Sequence, residues 1–166
     1  MSSRLPRHHQ YNLSADPGST RREITTLCGS KVGKTLAHEG NLIIGMGVDI
    51  AEVERIEAAI ERQGERFLRR IFTEQEIAYC ERFRNKYERY AGRFAAKEAT
   101  MKALGTGWRH GIRWVDLEVV RLPTGRPTMQ LKGESKKIAE QMGVKQIAVS
   151  ITHTSSEALA QVIFEG

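Results

Sequence analysis

Cysteines, aromatic residues and long apolar runs are scarce in this sequence. Its two cysteines, Cys28 and Cys80, are too few for a disulfide framework, and their spacing fits no zinc site. Aromatic residues make up 7% of the chain, which leaves little surface for stacking nucleic-acid bases. No apolar run approaches the roughly 20 residues of a membrane span, and no basic-then-apolar signal pattern opens the chain. We therefore expect a soluble protein in a reducing cytoplasm.

The length and the charge of the chain limit the architectures it can adopt and the partners it can bind. The 166 residues are 40% hydrophobic, which fits one compact domain with an ordinary core. Lysine and arginine number 26 against 20 acidic residues, so the formal net charge of +6 favours an anionic partner. A small nucleic-acid-binding module is one interpretation of this excess, although glutamates alternate with the arginines of the first basic segment.

The chain changes character near residue 40. Residues 1–40 combine Ser, Thr, Gly, Arg and His without a sustained period, so we expect an N-terminal extension that is disordered or loosely attached. Within it, segment 29–35 ends like a phosphate-binding loop, but Cys28 stands where the first glycine belongs. We assign the folded domain to 41–166.

Apolar periodicity predicts the elements of this domain. The apolar run 42–48 indicates a buried strand that ends at Asp49. Small apolar residues over 93–104 indicate a closely packed helix, with Gly105 at its C-terminal end. Further strands are predicted over 114–122, 127–131, 146–151 and 158–164, and further helices over 53–60, after Thr73 and over 133–142. Because helices are grouped between strands and do not alternate strictly with them, the order predicts an α+β fold with an antiparallel sheet.

Three polar residues stand out in this pattern. Asp49 follows glycines at a strand end, where it can reach a metal or ligand, or can cap the helix that begins near residue 51. Glu98 and Lys102 lie four apart on one helical face, either as a surface ion pair or as a carboxylate for Mg²⁺ and an ammonium for phosphate. Gly105 and Gly107 follow that helix, and their amides can approach phosphate oxygens.

Two other features permit more than one interpretation. His153 belongs to the hydroxyl-rich segment 150–156, which is predicted to form a loop, and its imidazole either binds phosphate or carries a proton, or has no function. The arginines of the first helix form either a solvated, ion-paired face or a docking surface for an acidic partner. The same carboxylates would also serve a magnesium-dependent hydrolase of nucleotides or coenzyme A.

Four motifs occur in order over 45–164. They are Gly-Met-Gly-Val-Asp-Ile (45–50), Phe-Ala-Ala-Lys-Glu-Ala-Thr-Met-Lys-Ala-Leu-Gly-Thr-Gly (94–107), Gly-Arg-Pro (125–127) and Ser-Ile-Thr-His (150–153). In this order and spacing, the set resembles the 4′-phosphopantetheinyl transferases of the short, holo-acyl-carrier-protein synthase type. The resemblance covers about 120 of the 166 residues.

The resemblance implies a reaction and the residues that perform it. A protein of this family transfers the 4′-phosphopantetheine group of coenzyme A to a serine of apo acyl carrier protein, for fatty acid biosynthesis, and releases adenosine 3′,5′-bisphosphate. Asp49 and Glu98 match the family's Mg²⁺ ligands. Lys97 and Lys102 match its motif lysines, Lys102 being the better candidate for a phosphate contact, and His153 matches a histidine near the phosphates. Asp49, Glu98, Lys102 and His153 are thus the expected catalytic residues. The expected coenzyme-binding residues are Lys102, Gly105, Gly107, Gly125, Arg126, Pro127, Ser150 and His153.

The resemblance also implies an assembly and partners. We expect a phosphopantetheinyl transferase fold that forms a homotrimer, with a site at each subunit boundary. Arg55 and Arg62, at matching positions of the first helix, are expected to dock the acidic carrier protein. Coenzyme A and apo acyl carrier protein are the expected partners, with neither nucleic acid nor membrane among them.

Overall fold

The computed structural model describes residues 42–107 and 111–166, and the predictions for 1–40 lie outside these ranges. The strands are β1 (Ile43–Glu52), β2 (Leu117–Arg121), β3 (Pro127–Leu131), β4 (Gln146–His153) and β5 (Glu157–Glu165). The helices are α1 (Val53–Gln63), α2 (Glu65–Ile71), α3 (Glu74–Cys80), α4 (Lys86–Ala103) and α5 (Gly133–Met142), with a 3₁₀ turn at Trp114–Asp116. Within the described ranges, no helix combines the length and the apolar character that crossing a membrane requires.

Two antiparallel sheets form the β part of the fold. β5 lies between β1 and β4 in a three-stranded sheet, and β2 pairs with β3 in a hairpin. The hairpin meets the larger sheet where the Thr128 hydroxyl donates to the Ile147 carbonyl oxygen over 3.0 Å. Helix α4 lies across one face of the larger sheet and packs mainly on β1 and β5. The predicted α+β class with antiparallel strands is confirmed.

Small residues allow α4 to approach β1 closely. A Cβ at Gly47 would lie 1.9 Å from the Ala99 carbonyl oxygen. One at Gly45 would lie 2.6 Å from the Ala103 carbonyl oxygen. Both distances are far below van der Waals contact with backbone atoms, so only glycine fits these two strand positions. The closely packed helix predicted from small residues is confirmed, and it begins earlier than predicted, at Lys86.

The predicted ends of β1 and β4 are wrong. β1 continues through Asp49, which pairs with Ala160, as far as Glu52, because the ladder with β5 extends over all of these residues. Since α1 begins only at Val53, Asp49 does not cap it. β4 likewise extends to His153, so this residue ends a strand and does not lie in a loop.

Other predicted boundaries match the structure more closely. α5 ends at Gly143, whose φ of 82° is the left-handed conformation that favours glycine at a helix end. The Thr73 hydroxyl accepts the Glu76 amide hydrogen, while the Glu76 carboxylate accepts the Thr73 amide hydrogen, as a helix start requires. The strand predicted over 114–122 is shorter, because residues 114–116 form the 3₁₀ turn.

The apolar side chains of β1 are not buried as predicted. Met46, Val48 and Ile50 alternate along the strand and are 62%, 50% and 58% exposed. β1 is an edge strand, and α4 covers only the opposite face of its sheet. This uncovered apolar surface is continued on β5 by Leu159 and Ile163, which lie opposite Ile50 and Met46. We call these five residues the open sheet face.

Candidate functional site

Asp49, Glu98 and Lys102 come together where α4 crosses β1. The Lys102 ammonium lies 2.8 Å from Asp49 Oδ1 and also donates to the Val48 carbonyl oxygen over 2.9 Å. Glu98 lies one helical turn before Lys102, and its charge interacts with both Asp49 and Lys102. Lys102 therefore joins α4 to the strand and does not form the surface ion pair with Glu98 that its spacing also allowed. We call these three residues the carboxylate group.

The electrostatics of the carboxylate group favour a bound cation. Partial burial is the largest cause of a raised pKa at Glu98, and the nearby Asp49 carboxylate raises this pKa further. The Lys102 ammonium acts in the opposite direction and only partly offsets them. A divalent cation between the two carboxylates would relieve their repulsion.

The donor chemistry suits magnesium better than a metal with a complete protein cage. Within the described ranges, no set of three or more His, Cys, Asp and Glu side chains is arranged to hold a metal. Mg²⁺ commonly takes one or two carboxylates and completes its shell with water and substrate phosphates. Asp49 and Glu98 fit this requirement, and Lys102 places a positive charge beside the phosphate that would share the ion.

The turn that follows α4 contributes space more than hydrogen-bond donors. The Gly105 amide donates to the Lys102 carbonyl oxygen over 3.0 Å, and the Gly107 amide donates to the Met101 carbonyl oxygen over 3.4 Å. Both glycines have positive φ, and a Cβ at either one would meet no atom within 4 Å. The helix end already uses these amides, so they are not free for a ligand. Because nothing lies within 4 Å of either Cβ position, the turn leaves open space beside Lys102.

A second polar group surrounds a pocket of about 200 Å³ at the other end of α4. His153 lines it, and His153 Nδ1 lies 3.1 Å from Glu88 Oε2. The residues described as lining this pocket also include Gly92, Tyr79, Val119, Ile151, three arginines (Arg89, Arg93 and Arg121), Gly125 of the β2–β3 turn and Pro127, the first residue of β3. The structure thus brings His153 together with two members of the predicted 125–127 segment. We call this the histidine pocket.

The arginines of the histidine pocket are held by aromatic packing. The Arg93 guanidinium lies 4.0 Å from the centre of the Tyr79 ring, and Arg121 donates to the Tyr79 hydroxyl over 2.9 Å. The Nε–H groups of Arg89 and Arg93 are buried and have no hydrogen-bond partner among the described residues. Buried donors without partners are costly, so this pocket suits an anion that would accept them.

The carboxylate group and the histidine pocket do not meet within one chain. Glu88 and Glu98 stand ten residues apart on α4, which corresponds to about 15 Å of helix. No hydrogen bond or ion pair among the described residues joins His153 to Asp49 or Lys102. The predicted catalytic set is therefore divided between the two ends of one helix.

Four predicted coenzyme-binding residues lie outside both groups: Gly105 and Gly107 in the turn after α4, and Ser150 and Arg126 elsewhere. Ser150 is exposed on β4 and alternates with Val149 and Ile151, which lie toward α4, so it belongs to the opposite face of the sheet. Arg126 is exposed at the β2–β3 turn, next to two residues that line the histidine pocket. Their roles stay predictions.

Arg55 and Arg62 are exposed on one face of α1. They stand seven residues apart, which is two helical turns, while Val53, Ile56 and Ile60 bury the opposite face. Neither arginine forms an ion pair with another described residue, whereas Arg69 on α2 pairs with Glu65 over 2.7 Å. The α1 pair is thus available to an external anion.

Sequence reasoning did not single out Glu88, whose carboxylate lies 3.1 Å from His153 Nδ1. Glu88, Gly92, Ala95 and Ala99 follow one another at helical spacing, and the last three lie in the buried, closely packed part of α4. A carboxylate in line with a stripe of small residues signals a side chain held against the sheet. The signal is visible only when the helix begins at Lys86, seven residues before its predicted start.

Gly47 tests how strictly the carboxylate group depends on close packing. Gly47→Ala should destabilise the fold and lower activity, because its Cβ would push Ala99 and the neighbouring Glu98 away from Asp49. Gly92→Ala is the comparison for stability alone, because Gly92 lines the histidine pocket; its Cβ would meet a side-chain methyl, Cγ2 of Ile151 at 2.9 Å, and no backbone atom. Urea unfolding and turnover measure both effects. A Gly47→Ala variant as stable as Gly92→Ala and as active as the wild type would contradict this packing account.

The sequence and the fold match a known class of enzyme. The family model described as the 4′-phosphopantetheinyl transferase superfamily matches residues 45–161, and the chain belongs to that superfamily. Within it, the chain is similar to holo-[acyl-carrier-protein] synthases, which confirms the resemblance carried by the four motifs. The relative from Solibacter usitatus is 60% identical over 124 residues, covering 75% of this chain and 99% of the relative. That from Koribacter versatilis is 51% identical with the same coverage of both chains.

Solved structures agree with this assignment. The holo-[acyl-carrier-protein] synthase of Neisseria meningitidis superposes with a TM-score of 0.68 at 30% identity, over 75% of this chain and 100% of that one. The enzyme of Helicobacter pylori, solved in complex with coenzyme A, superposes with a TM-score of 0.63 at 31% identity, over 72% of this chain and 98% of that one.

Proposed function

We propose that this protein is a holo-[acyl-carrier-protein] synthase. It transfers the 4′-phosphopantetheine group of coenzyme A to a serine of apo acyl carrier protein, in the cytoplasm, for fatty acid biosynthesis. The observation that carries the proposal is the carboxylate group, in a chain whose relatives bear this name over nearly their whole length. One of the similar structures is a coenzyme A complex, which supports coenzyme A as the substrate here.

Each residue of the two groups has a separate role in the proposed reaction. The serine hydroxyl of the carrier protein loses its proton as its oxygen forms a bond to the phosphorus next to pantetheine. The pyrophosphate bond breaks at the same phosphorus, and adenosine 3′,5′-bisphosphate leaves. Asp49 and Glu98 would hold Mg²⁺, which would neutralise negative charge on the pyrophosphate. Lys102 binds a phosphate oxygen, and the histidine pocket binds a second phosphate through His153 and its arginines.

We also propose that copies of this chain form a homotrimer with composite sites. The open sheet face is a contiguous apolar surface on an edge strand, and association would bury it. In a closed ring, the carboxylate group of one copy meets the histidine pocket of the next, which unites the two ends of α4 around one ligand. The likeness to the short transferase type supports three copies.

Mixing two inactive variants tests the composite site. Glu98→Ala and His153→Ala each damage one half, so a 1:1 mixture refolded together should recover about a quarter of the wild-type activity per site, as random closed rings predict. Circular dichroism confirms that each variant is folded. Activity of the mixture no higher than the mean of the two variants would show that each site lies within one copy.

Charge reversal on α1 tests the docking surface. Arg55→Glu combined with Arg62→Glu should raise the KM for apo acyl carrier protein roughly tenfold or more, because acidic partners are attracted by exposed cations, and leave the KM for coenzyme A unchanged. Arg84→Glu is the matched control, as it reverses an exposed arginine before α4. Steady-state kinetics with each substrate varied measures the difference. The same KM for the carrier protein in both variants would remove α1 from the docking surface.

Product release tests the reaction class. Chromatography should detect adenosine 3′,5′-bisphosphate from coenzyme A and Mg²⁺ only when apo acyl carrier protein is also present. Release at the same rate without the carrier protein would mean that water, and no carrier serine, accepts the group.

A further inference from the structure

The Arg121 side chain connects two walls of the histidine pocket. Its Nε–H donates to the Gly125 carbonyl oxygen over 3.0 Å, and its Nη1–H donates to the Tyr79 hydroxyl over 2.9 Å. Gly125 belongs to the turn between β2 and β3, whereas Tyr79 belongs to α3. All three residues line the pocket. One guanidinium therefore joins the turn to the helix.

The backbone of the turn leaves room for this guanidinium. Gly125 has a φ of 85°, in the left-handed region that favours glycine, and a Cβ there would lie 3.2 Å from Arg121 Nη2. Within the turn, the Gly125 amide donates to the Leu122 carbonyl oxygen over 2.8 Å, and the Leu122 amide donates to the Arg126 carbonyl oxygen over 2.9 Å. These two bonds close the turn without connecting it to α3. Arg121 supplies the side-chain link between them.

Tyr79 is a firm anchor for this link. The Arg93 guanidinium, which is buried, lies 4.0 Å from the centre of the Tyr79 ring, and the Phe83 ring centre lies 5.0 Å from it. Because the ring is packed by both neighbours, its hydroxyl has a defined position. Arg121 thus ties the exposed turn to a well-packed part of the fold.

The shape of the Arg121 side chain matters to this link more than its charge. Both of its acceptors, a peptide carbonyl and a phenol, are uncharged. A guanidinium presents its N–H groups in a rigid plane and can donate to two acceptors at once, whereas a lysine ammonium keeps the charge without that rigid fork. Arg89 and Arg93 differ from Arg121, because their buried Nε–H groups have no partner among the described residues. Those groups are the donors left for an anion.

We propose that Arg121 is a positioning residue for coenzyme A binding: it ties the β2–β3 turn to Tyr79 and so sets the width of the histidine pocket. The identity of the ligand rests on the proposed function, whereas the tie between the turn and α3 does not. Arg121 acts through Gly125 and Tyr79 and contacts no reacting atom.

Nuclear magnetic resonance relaxation tests the tie in the full chain. Arg121→Lys keeps the charge and loses the fork, so the order parameter of the Gly125 amide should fall from about 0.85, typical of rigid backbone, to about 0.6 or lower. Tyr79→Phe keeps the ring and loses the hydroxyl, and it should lower the same order parameter. Tyr87→Phe removes a tyrosine hydroxyl outside the histidine pocket and should leave it unchanged.

Calorimetry tests the consequence for the ligand. Arg121→Lys and Tyr79→Phe should each raise the dissociation constant for coenzyme A about fivefold, the usual effect of losing one hydrogen bond, while kcat changes less than about twofold. The double variant should bind no more weakly than either single variant, because both break the same tie. Arg84→Lys exchanges an exposed arginine before α4 and should bind as the wild type does. Urea unfolding of Arg121→Lys should match the wild type, because the side chain is exposed.

Three results would overturn this role of Arg121. The first is a Gly125 amide that is equally rigid in the wild type and in Arg121→Lys. The second is wild-type affinity for coenzyme A in Arg121→Lys, since charge alone would then be sufficient. The third is a double variant that binds about 25-fold more weakly, as two independent effects predict. None of these comparisons depends on transfer, so a wild-type protein that binds coenzyme A and transfers nothing would contradict the proposed function alone.

Discussion

Glu98→Ala should lower phosphopantetheine transfer by a factor of about 10² to 10³ or more, because a carboxylate that holds a charge-neutralising ion is worth several kcal/mol in the transition state. The side chain lies at the meeting of α4 with β1, where burial and Asp49 raise its pKa. Its loss removes one of the two carboxylates available to Mg²⁺. Added Mg²⁺ should restore little of the rate.

Two comparisons make this result specific. Glu98→Gln keeps the shape of the side chain and loses its charge, so it should be nearly as inactive as Glu98→Ala while its urea unfolding matches the wild type. Glu140→Gln removes an exposed carboxylate from α5 and should leave the rate unchanged. Wild-type transfer by folded Glu98→Ala would show that the carboxylate group is not the metal site.

Lys97→Met should lower the free energy of unfolding by about 3–5 kcal/mol, the usual cost of breaking a buried ion pair on one side. Lys97 and Glu76 are almost completely buried, with Lys97 Nζ 2.7 Å from Glu76 Oε2. The same ammonium donates to the Trp114 carbonyl oxygen over 3.0 Å, and Glu76 accepts the Val119 amide over 3.0 Å. Burial is the main cause of the lowered pKa of Lys97, and Glu76 partly offsets it.

A double-mutant cycle isolates the ion pair. Lys97→Met leaves the Glu76 carboxylate buried without a counter-charge. Glu76→Gln should therefore lower the free energy of unfolding less in the Lys97→Met background than in the wild type. Lys136→Met, which breaks the exposed pair between Lys136 and Glu140, should change stability by less than about 1 kcal/mol. Urea unfolding measures all four variants. If Lys97→Met lowered the free energy of unfolding by less than about 1 kcal/mol, the buried pair would not have the stabilising role assigned to it.

Local patterns were sufficient to predict much of the fold. α5 lies between Gly133 and Gly143 as predicted, because a left-handed glycine end and an amphipathic period are both local signals. The close packing of α4 on the sheet followed from its small residues. The end of β1 could not be predicted in this way, because the extension beyond Asp49 depends on pairing with β5, more than 100 residues away in sequence.

The candidate site was predicted in part. Asp49, Glu98 and Lys102 were recognised from their motifs, and the structure places them together. The pairing of His153 with Glu88 spans 65 residues and depends on how α4 crosses the sheet, which periodicity does not specify. Lys97 shares a motif with Glu98, yet it points into the core, because successive residues of a helix face directions about 100° apart. The exposure of Val48 and Ile50 likewise depends on what covers the open sheet face.

The most direct test of the proposed function is the intact mass of apo acyl carrier protein after incubation with this protein, coenzyme A and Mg²⁺, beside a sample containing a chelator. We predict a mass gain of one 4′-phosphopantetheine group per carrier protein with Mg²⁺ and none with the chelator. Glu98→Ala should give the gain at least about a hundredfold more slowly with Mg²⁺, and none with the chelator. An unchanged carrier mass in every sample, with folded wild-type protein and a carrier that a known synthase modifies, would contradict the account.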